Sequence, residues 1–509
     1  MLKLLVTVLS LLILVPAAVG AERATLVIGN GAQPFAGDRA DLTTISPNGD
    51  GYRDTATIAY TAPSAGFARL EVDRADRKGA VFVDDALPVG DGSTNLTWTP
   101  PQGTPPGTYV VRVSSSGGAP VRGVVRVQTI DVAAGAAGYA PGDVAQFSVA
   151  TDATELRIAV LRMDGSSITT RGNTSVNGTL MGPEQTIPWT HQDRPHNVPV
   201  SIGNWRSGVY FVRITSSDGR VGVAPFVLRP RRLGLNRIAV VLPTNTWQAY
   251  NFYDRNGDGR GDTWYAGWHL HRTRLGRPYL NNGVPNHFRR YDLHFLIWAA
   301  THGVHADYLT DTDLEQIGSG ARLARLYDFV VFPGHHEYVT QREYDIVRGF
   351  RDRGGNLAWL SANNFFWKVV RHGPELERVA QWRTIGQPEA SLIGVQYRGN
   401  DEGQRRGPMQ PVPDAAPWLF AGTPLAHGVA WGDFGIEIDH TAPSSPHGTT
   451  VVASIPDLYG PGFTAQMTYY ETANGAKVFA AGAFSLADAA QKVIGARLLS
   501  NLFARLAVP

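Results

Sequence analysis

The sequence contains no cysteine, which excludes disulfide bonds, thiolate metal ligands, cysteine nucleophiles and a lipid anchor on an N-terminal cysteine. It also lacks an excess of charge of one sign. The 46 Lys and Arg residues nearly balance the 44 Asp and Glu residues, and the formal net charge is +2. A chain with so little net charge has no electrostatic reason to bind nucleic acid or an anionic membrane. We therefore expect chemistry based on oxygen and nitrogen, and no nucleic-acid partner.

The N-terminus has the three parts of a secretory signal. A basic start at Lys3 precedes an apolar stretch over 4–14 and small residues over 18–21. After residue 21 no stretch is both apolar and long enough to span a membrane. We predict a signal peptide over 1–21 and a secreted or cell-envelope protein without an integral membrane segment after cleavage. An uncleaved anchor is the alternative.

The chain is long enough, at 509 residues, for about three domains of roughly 150 residues. The region after the signal is rich in Gly, Pro, Ser and Thr with short alternating apolar runs, which is typical of all-β structure. A Gly-x-Tyr-x-Val-Arg pattern starts at Gly107 and again at Gly208, a spacing of about one β-sandwich. The stretch Ser46-Pro-Asn-Gly-Asp-Gly51 resembles the opening of immunoglobulin-like modules of the flagellar-hook-capping and bacterial surface-protein type. We predict two such sandwiches, over 22–130 and 131–231.

From residue 232 onwards, apolar runs alternate with amphipathic stretches. The predicted strands are 238–242, 306–309, 329–332, 356–360 and 477–481. The predicted helices are 292–302, 341–353 and 489–506. Several of these strands are continuously apolar and follow a helix, which favours a parallel sheet covered on both faces. We therefore predict a doubly wound α/β domain of the flavodoxin or amidotransferase type over 232–509.

Polar stretches follow three of these strands directly, over 243–251, 333–338 and 361–364. Ligands of open α/β sheets bind outside the carboxyl ends of the strands, so these stretches are the candidate site. The Gly-x-Ser-x-Gly, Gly-x-x-x-x-Gly-Lys-Ser/Thr and His-Glu-x-x-His motifs do not occur. Their absence excludes the familiar serine hydrolase, P-loop and zinc-peptidase patterns. What remains is an oxygen-rich site with one or two histidines.

Several short motifs in this region, in order, resemble the catalytic domain of the N,N-dimethylformamidase large subunit. They are Pro243-Thr-Asn-Thr-Trp-Gln-Ala-Tyr-Asn251, Arg277-Pro-Tyr279, Tyr308-Leu-Thr-Asp-x-Asp-Leu314, Gly334-His-x-Glu-Tyr338, Gly354-Gly-Asn-Leu-x-x-Leu-Ser-x-Asn363, Gly435-Ile-Glu-Ile-Asp439 and Thr468-Tyr-Tyr-Glu471. The resemblance covers nearly all of residues 235–509.

This resemblance implies a mononuclear ferric iron held by two tyrosinates and one glutamate. Carried over by motif, the ligands are Tyr250, Tyr279 and Glu337. The choice of tyrosines stays open, and the competing phenols are Tyr253, Tyr265 and Tyr291. A hard, highly charged cation prefers oxygen ligands of this kind.

The resemblance also implies three polar residues around the iron: His335, Asn363 and Glu437. The metal would polarise an amide carbonyl and lower the pKa of a bound water. Glu437 or His335 would take the proton of that water and return it to the departing amine, while Asn363 would donate to the oxyanion. The predicted function is therefore metal-dependent hydrolysis of a small carboxamide or N-acyl substrate.

A separate motif has the order of a calcium-binding loop. Asp254, Asn256 and Asp258 occupy loop positions 1, 3 and 5, but the twelfth position is Tyr265 where a Glu would be usual. Asp262 would have to help close the shell. The sequence predicts either a Ca²⁺ site or a polar turn at the mouth of the pocket.

A non-catalytic function is the alternative for the whole chain. In that interpretation the sandwiches contact cell-wall or other polymer, and the α/β part recognises a ligand without turning it over. Fold alone does not decide between the two. A homo-oligomer and a small partner subunit, as in the reference enzyme of the resembled family, remain compatible with either function.

Overall fold

The structure is a computed structural model that describes residues 23–508 except 77–78, 116–117, 167, 170–175, 268 and 281. The predicted signal peptide therefore lies outside the described residues. Across the described part of the chain, no helix is long and apolar enough to cross a membrane.

The first β unit consists of two sheets that share one core. The three-stranded sheet has the order β1-β3-β6, and the five-stranded sheet has the order β2-β8-β7-β4-β5. Its strands are β1 (Thr25–Gly29), β2 (Leu42–Ile45), β3 (Ala56–Ala62), β4 (Gly66–Arg74), β5 (Ala80–Val89), β6 (Gly92–Trp98), β7 (Gly107–Ser115) and β8 (Val121–Val127). Alternate residues of these strands, such as Ile58, Leu70 and Val111, fill the space between the sheets.

The second β unit also packs two main sheets face to face, in the orders β10-β19-β18-β12-β15 (with β16 on β12) and β17-β11-β9. Its strands are β9 (Asp131–Ala134), β10 (Gly138–Tyr139), β11 (Val144–Ala150), β12 (Glu155–Arg162), β13 (Ile168–Thr169), β14 (Val176–Asn177), β15 (Thr179–Leu180), β16 (Gln185–Pro188), β17 (His196–Ser201), β18 (Gly208–Ser216) and β19 (Val221–Leu228). Phe147, Tyr210 and Phe226 lie in the core between the two sheets.

The two copies of the repeated sequence pattern have the same structure. Both begin a strand, β7 and β18, and both tyrosines are fully buried. The hydroxyl of Tyr109 donates to the carbonyl of Pro105 at 2.8 Å, and that of Tyr210 donates to the carbonyl of Arg206 at 2.6 Å. A tyrosine that bonds back to the backbone a few residues upstream is the tyrosine corner of immunoglobulin-like sandwiches.

The C-terminal unit is built on an eleven-stranded mixed sheet, in the order β22-β20-β23-β25-β33-β32-β31-β29-β30-β28 with β34 on β30. A separate four-stranded sheet has the order β21-β27-β26-β24. The strands are β20 (Ile238–Leu242), β21 (Arg272–Arg274), β22 (Asp307–Thr310), β23 (Phe329–Phe332), β24 (Tyr338–Thr340), β25 (Asn356–Trp359), β26 (Trp367–His372), β27 (Glu375–Gln381), β28 (Gln396–Asn400), β29 (Arg406–Pro411), β30 (Trp431–His440), β31 (Thr450–Ile455), β32 (Ala465–Glu471), β33 (Lys477–Ala480) and β34 (Ala483–Phe484).

Helices lie between these strands and after the last of them. They are α1 (Thr244–Ala249), α2 (His294–Thr301), α3 (Asp311–Ile317), α4 (Gly320–Leu326), α5 (Gln341–Arg351), α6 (Ala390–Ile393), α7 (Pro417–Phe420) and α8 (Val493–Leu506). Side-chain caps start several of them; the Thr340 hydroxyl, for example, accepts the N–H of Glu343 at the start of α5. Tyr344, Val347 and Phe350 recur at helical spacing and bury one face of α5 against the sheet.

The prediction of a doubly wound α/β domain is wrong. Five strands do pair in parallel, from β22 to β33. The sheet continues from β33 through β32, however, into antiparallel strands of the 396–471 region. Overall about 40% of the described residues are in strands and 18% in helices. The antiparallel half was missed because its strands lack continuous apolar runs and are interrupted by bulges.

The second β unit and the C-terminal unit share one hydrophobic cluster. Phe211 of β18 contacts Phe288 edge to face at a centroid distance of 5.3 Å, and Trp247 of α1 contacts the same ring at 5.7 Å. Val223 and Val227 of β19 belong to this cluster as well. The second β unit thus forms one wall of the core beneath the candidate site.

Candidate functional site

The carboxyl ends of β20, β23 and β25 open into a cavity of about 910 Å³. Polar residues lining the cavity include His335 and Glu337 after β23, Asn363 after β25 and Glu437 from β30. Aromatic side chains of Trp247, Trp264, Tyr291, Phe366, Trp367 and Phe484 form much of its wall. A largely aromatic pocket with a few convergent polar groups is the usual form of a small-molecule site.

Glu337 is the centre of a cluster of phenols. The hydroxyl of Tyr250 donates to Oε2 of Glu337 at 2.7 Å, and the hydroxyl of Tyr265 donates to the same oxygen at 3.3 Å. Tyr338 makes a short hydrogen bond to Tyr265 behind them. The rings of Tyr250 and Tyr265 stack with centroids 4.6 Å apart. Two phenol oxygens and one carboxylate therefore meet at one point of the cavity wall.

Tyr265 reaches this point because the chain between the two tyrosines closes on itself. The hydroxyl of Thr263 donates to the carbonyl of Ala249 at 2.5 Å, next to Tyr250. The same hydroxyl accepts the N–H of Tyr265 and begins a short 3₁₀ helix over Trp264–Ala266. No sequence motif reports this closure, and sequence alone leaves Tyr265 as one of several competing tyrosines.

Tyr279, the third iron ligand carried over from sequence, does not join this cluster in the structure. It lines a different cavity, of about 400 Å³, on the other side of α1 beside Gln248. The buried Arg277 fixes this segment there, because its guanidinium donates to the carbonyls of Gln248 and Asn251 at 2.6 and 2.8 Å. The structure thus brings together Tyr250 and Glu337 of the predicted triad, with Tyr265 in the place expected for Tyr279.

The two other competing tyrosines are also away from Glu337. The hydroxyl of Tyr253 donates to Asp131 of the second β unit at 3.0 Å. Tyr291 lines the cavity but packs its ring on Phe484, with centroids 4.9 Å apart.

The three predicted catalytic residues all face the cavity beside Glu337. Nε2 of His335 lies 3.3 Å from Oε2 of Glu437 and 3.5 Å from Oε2 of Glu337. The backbone N–H of Asn363 donates to Asp439 at 2.9 Å. Asn363 has a φ of 52° and Ile436, next to Glu437, a φ of 71°. Such left-handed conformations are costly for these residues and are often found at functional sites.

Glu437 points into the cavity because β30 is irregular at this position. The pairing of β30 with β34 shifts register between Gly435 and Ile438. A bulge of this kind redirects one side chain out of the normal alternation. Asn400 of β28 then holds the other oxygen of Glu437 through its side-chain amide at 3.2 Å.

Burial is the largest cause of the pKa shifts in the cluster. Burial raises the pKa of Glu337 to about 7, although the hydrogen bonds from its tyrosines act to lower it. Burial and the charge of Glu337 raise the pKa values of Tyr250, Tyr265 and Glu437 well above their usual ranges. Burial also lowers the pKa of His335 to about 3. Without a bound cation, both shifts favour the uncharged forms of His335 and Glu437.

These observations agree with the binding of a hard cation. The converging donors are a carboxylate and two phenols, which are the oxygen ligands preferred by such an ion. Nε2 of His335, Oε2 of Glu437 and Oδ1 of Asn363 are buried without a well-aligned hydrogen bond to any described residue. A bound cation would reverse the pKa shifts, because it stabilises carboxylate and phenolate.

A second group of potential metal ligands lies just behind the cavity. Asp311, His336 and Glu343 are fully buried and bring ligand atoms within 4.8 Å of one another. Nε2 of His336 is 2.7 Å from Asp311 and 2.9 Å from Glu343. Burial alone would lower the pKa of His336, but the two carboxyl groups raise it to about 9. The group is compatible with a metal ion and equally with an imidazolium between two carboxyl groups.

The loop predicted to bind calcium lies outside the cavity. The Asp254 carboxylate accepts the backbone N–H groups three, four and five residues later at 2.7, 3.2 and 2.8 Å. Asn256 and Asp258 each accept the N–H two residues later at 2.9 Å. Asp262 accepts the N–H of Arg255 at 3.1 Å. These bonds form a polar turn, and Ca²⁺ binding stays a prediction.

Comparison with known proteins gives a family match. The family of N,N-dimethylformamidase beta subunit-like C-terminal domains matches residues 185–492. The N,N-dimethylformamidase beta subunit of an Alcaligenes species is 31% identical over 176 residues, which are 34% of this chain and 22% of that protein. The corresponding subunit of Paracoccus aminophilus is 27% identical over 249 residues, which are 40% of this chain and 31% of that protein. The matched segments thus span less than a third of these relatives.

Likeness to solved structures is weak. The match to trypsin-activated alpha-2-macroglobulin from Escherichia coli covers 40% of this chain and 15% of that one, with 11% sequence identity and a TM-score of 0.18. Such a score supports no structural argument. The family match, in contrast, covers more than half of the chain and contains every residue of the cavity cluster, and the protein therefore belongs to the N,N-dimethylformamidase beta subunit-like family.

Proposed function

We propose that the protein is an exported, metal-dependent hydrolase that cleaves the C–N bond of a carboxamide or N-acyl compound. The observation that carries this proposal is the meeting of Tyr250, Tyr265 and Glu337 beside His335 and Glu437 in one cavity. Membership of the formamidase-like family supports the reaction class, and the apolar sequence start supports export.

Tyr250, Tyr265 and Glu337 would hold a ferric ion. When bound, such an ion supplies Lewis-acid polarisation of an amide carbonyl and lowers the pKa of water. It also makes the phenols ionise far below their metal-free range, because it neutralises the charge that burial disfavours.

The other polar residues of the cavity move the protons. Hydrolysis adds the oxygen of water to the carbonyl carbon and transfers a proton to the departing amine. The imidazole of His335 would accept a proton from the attacking water. Glu437, whose Oε2 lies 3.3 Å from Nε2 of His335, would donate a proton to the departing amine. Transfer of the proton from His335 to Glu437 then restores the starting state.

Asn363 and the aromatic wall would position the substrate. The backbone of Asn363 is fixed by Asp439, and its side chain faces the cavity. An amide side chain held in this way can donate to the developing oxyanion, which typically contributes several kcal/mol. The indoles of Trp264 and Trp367 offer an apolar surface to the substituent on nitrogen.

The ligand set can be tested with a matched pair of variants. We expect Tyr265→Phe to lose bound iron and the visible tyrosinate-to-iron absorption band, whereas Tyr279→Phe keeps both. Metal analysis and absorption spectra of the purified proteins measure this. Retention of iron by Tyr265→Phe together with its loss from Tyr279→Phe would restore the ligand set read from sequence.

The proton-transfer role predicts a different result for His335→Gln. This variant should keep its iron and lose roughly 100-fold to 10,000-fold in kcat, the usual contribution of general acid–base catalysis. Amine release from a panel of N-alkyl and N-acyl amides is the assay. A wild-type protein that binds iron but releases no amine from any member would favour the non-catalytic binding function.

A further inference from the structure

The loop between the two active-site tyrosines has a fixed internal shape. Residues 251–262 leave the cavity after Tyr250 and return to it before Tyr265. The Asp254 carboxylate bonds three backbone N–H groups and thereby sets the curvature of the loop. Internal bonds of this kind fix the form of a loop but not its position on the protein.

Three arginines of the first β unit contact the outer side of this loop. Five consecutive carbonyl groups, those of residues 254–258, each accept a hydrogen bond from them. Arg126 donates to the carbonyls of residues 254 and 255 at 3.3 and 3.2 Å. Arg39 donates to those of residues 256 and 257 at 3.1 and 2.9 Å, and Arg122 donates to that of residue 258 at 2.7 Å. We call this set the arginine clamp.

The clamp faces away from the core of its own unit. Arg122 and Arg126 are on β8, four residues apart and therefore on the same face, whereas Val125 and Val127 point into the sandwich. Hydrogen bonds from a charged donor are stronger than neutral ones. The face of β8 that a free sandwich would expose to water is thus used to bind the loop.

Close packing supports the same contact. Gly257 and Gly259 have φ values of +69° and +81° and lie against the first β unit. A Cβ atom on Gly257 would lie 2.2 Å from Leu42, and one on Gly259 would lie 2.0 Å from Arg122. A side chain at Gly257 or Gly259 would therefore have to displace the side chain of Leu42 or Arg122 from the loop.

The base of the loop is tied to the tyrosine pair. Thr263 closes the loop on Ala249, and Tyr253 is held by Asp131 of the second β unit. With the tip held by the clamp and the base closed at Thr263, Tyr265 has little freedom to move away from Glu337.

We propose that the arginine clamp is a positioning device of the active site, through which the first β unit holds Tyr265 in reach of the metal. The inference rests on the proposed function, since it concerns the same tyrosine ligand. The arginines act through the loop and contact neither metal nor substrate.

The test compares Arg39→Ala/Arg122→Ala in the full chain with Arg112→Ala as control. Arg112 lies directly opposite Arg122 on β7 and bonds to Asp73 within the first β unit. We expect the double variant to bind iron roughly 10–100-fold more weakly, as is usual when a partner that orients a ligand is removed. Its tyrosinate-to-iron band should shift, and hydrogen exchange should accelerate over residues 254–262. Arg112→Ala should match the wild type in all three measurements.

Other outcomes separate this inference from the proposed function. A double variant with wild-type iron affinity, absorption band and loop exchange would overturn the clamp while leaving the hydrolase proposal intact. A wild-type protein without iron or hydrolysis would overturn both. Arg126 is buried, and Arg126→Lys is a further variant that keeps its charge. If the clamp positions Tyr265, the tyrosinate-to-iron band of Arg126→Lys should lie closer to that of the wild type than the band of Arg126→Ala does.

Discussion

Asp292 is a single carboxyl group buried under the indole of Trp247. Its Oδ2 accepts the Nε1–H of Trp247 at 3.1 Å, and its Oδ1 has no hydrogen-bond partner among the described residues. Burial raises the pKa of Asp292 to about 7. The folded protein therefore keeps this proton at a pH where the unfolded chain has lost it.

This difference predicts how stability changes with pH. Since the folded state binds more protons, Asp292 makes the protein less stable as pH rises from its ordinary value of 3.8 towards 7. Asp292→Asn should remove that loss. As the pH rises from about 5 to about 8, the free energy of unfolding of the variant should increase relative to that of the wild type by at most about 3 kcal/mol. Denaturant unfolding of the metal-free proteins measures it; parallel pH profiles for both would contradict the expectation.

At the same scale, sequence predicted most residues of the candidate site. His335, Glu337 and Asn363 are in motifs that follow strands, Glu437 is in a motif within β30, and the structure places all four in one cavity. Their roles stay predictions. Tyr279 also stood in a motif, but Arg277 holds that motif in another cavity. The position of Tyr265 depends on loop closure through Thr263, which no local pattern reports.

At the scale of elements, Gly283 joins the C-terminal unit to β19. The carbonyl of Asn282 accepts the N–H of Val223 at 2.9 Å. A Cβ atom on Gly283 would lie 1.6 Å from the carbonyl oxygen of Val223, so the two backbones touch. Gly283 also has a φ of +92°, which a larger residue rarely adopts.

Gly283→Ala should therefore separate β19 from this turn. Gly303→Ala is a matched control, since Gly303 has a φ of +69° but open space around it. We expect about 1 kcal/mol of destabilisation for the control, from backbone strain alone. The Gly283 variant should lose at least about 2 kcal/mol more, because the backbones must move apart. Equal losses in urea unfolding would show that the contact is unimportant.

Individual strands of the C-terminal unit were more predictable than their sheet. The predicted segments 238–242 and 329–332 coincide with β20 and β23, because a strand buried on both faces has a continuous apolar run. Strands of the antiparallel half alternate apolar and polar residues and contain Gly, Pro and bulges, as in β29 and β30. Their pairing depends on contacts between distant segments, and sequence gave no sign of it.

At the scale of the whole molecule, apolar packing joins the second β unit to the C-terminal unit. The first β unit is joined to the C-terminal unit by the hydrogen bonds of the arginine clamp. Phe211, fully buried in the shared cluster, is the clearest link. Phe211→Ala should cost about 3–5 kcal/mol, as is usual for a large buried aromatic.

Hydrogen exchange can locate the effect of Phe211→Ala. We expect faster exchange in β18 and in the parallel strands β20 and β23 together, because one core supports all three. Phe67→Ala in the first β unit is the control, since that side chain is 63% exposed and should change little. Faster exchange confined to β18 would mean that the two units are energetically independent.

The shared cluster also bears on how such proteins are inherited. The family match begins at residue 185, inside the second sandwich and well before the first strand of the cavity-bearing sheet. A recombination event that cut between these segments would leave the phenylalanines of both exposed to water. Descendants that keep the cavity should therefore keep the second sandwich with it.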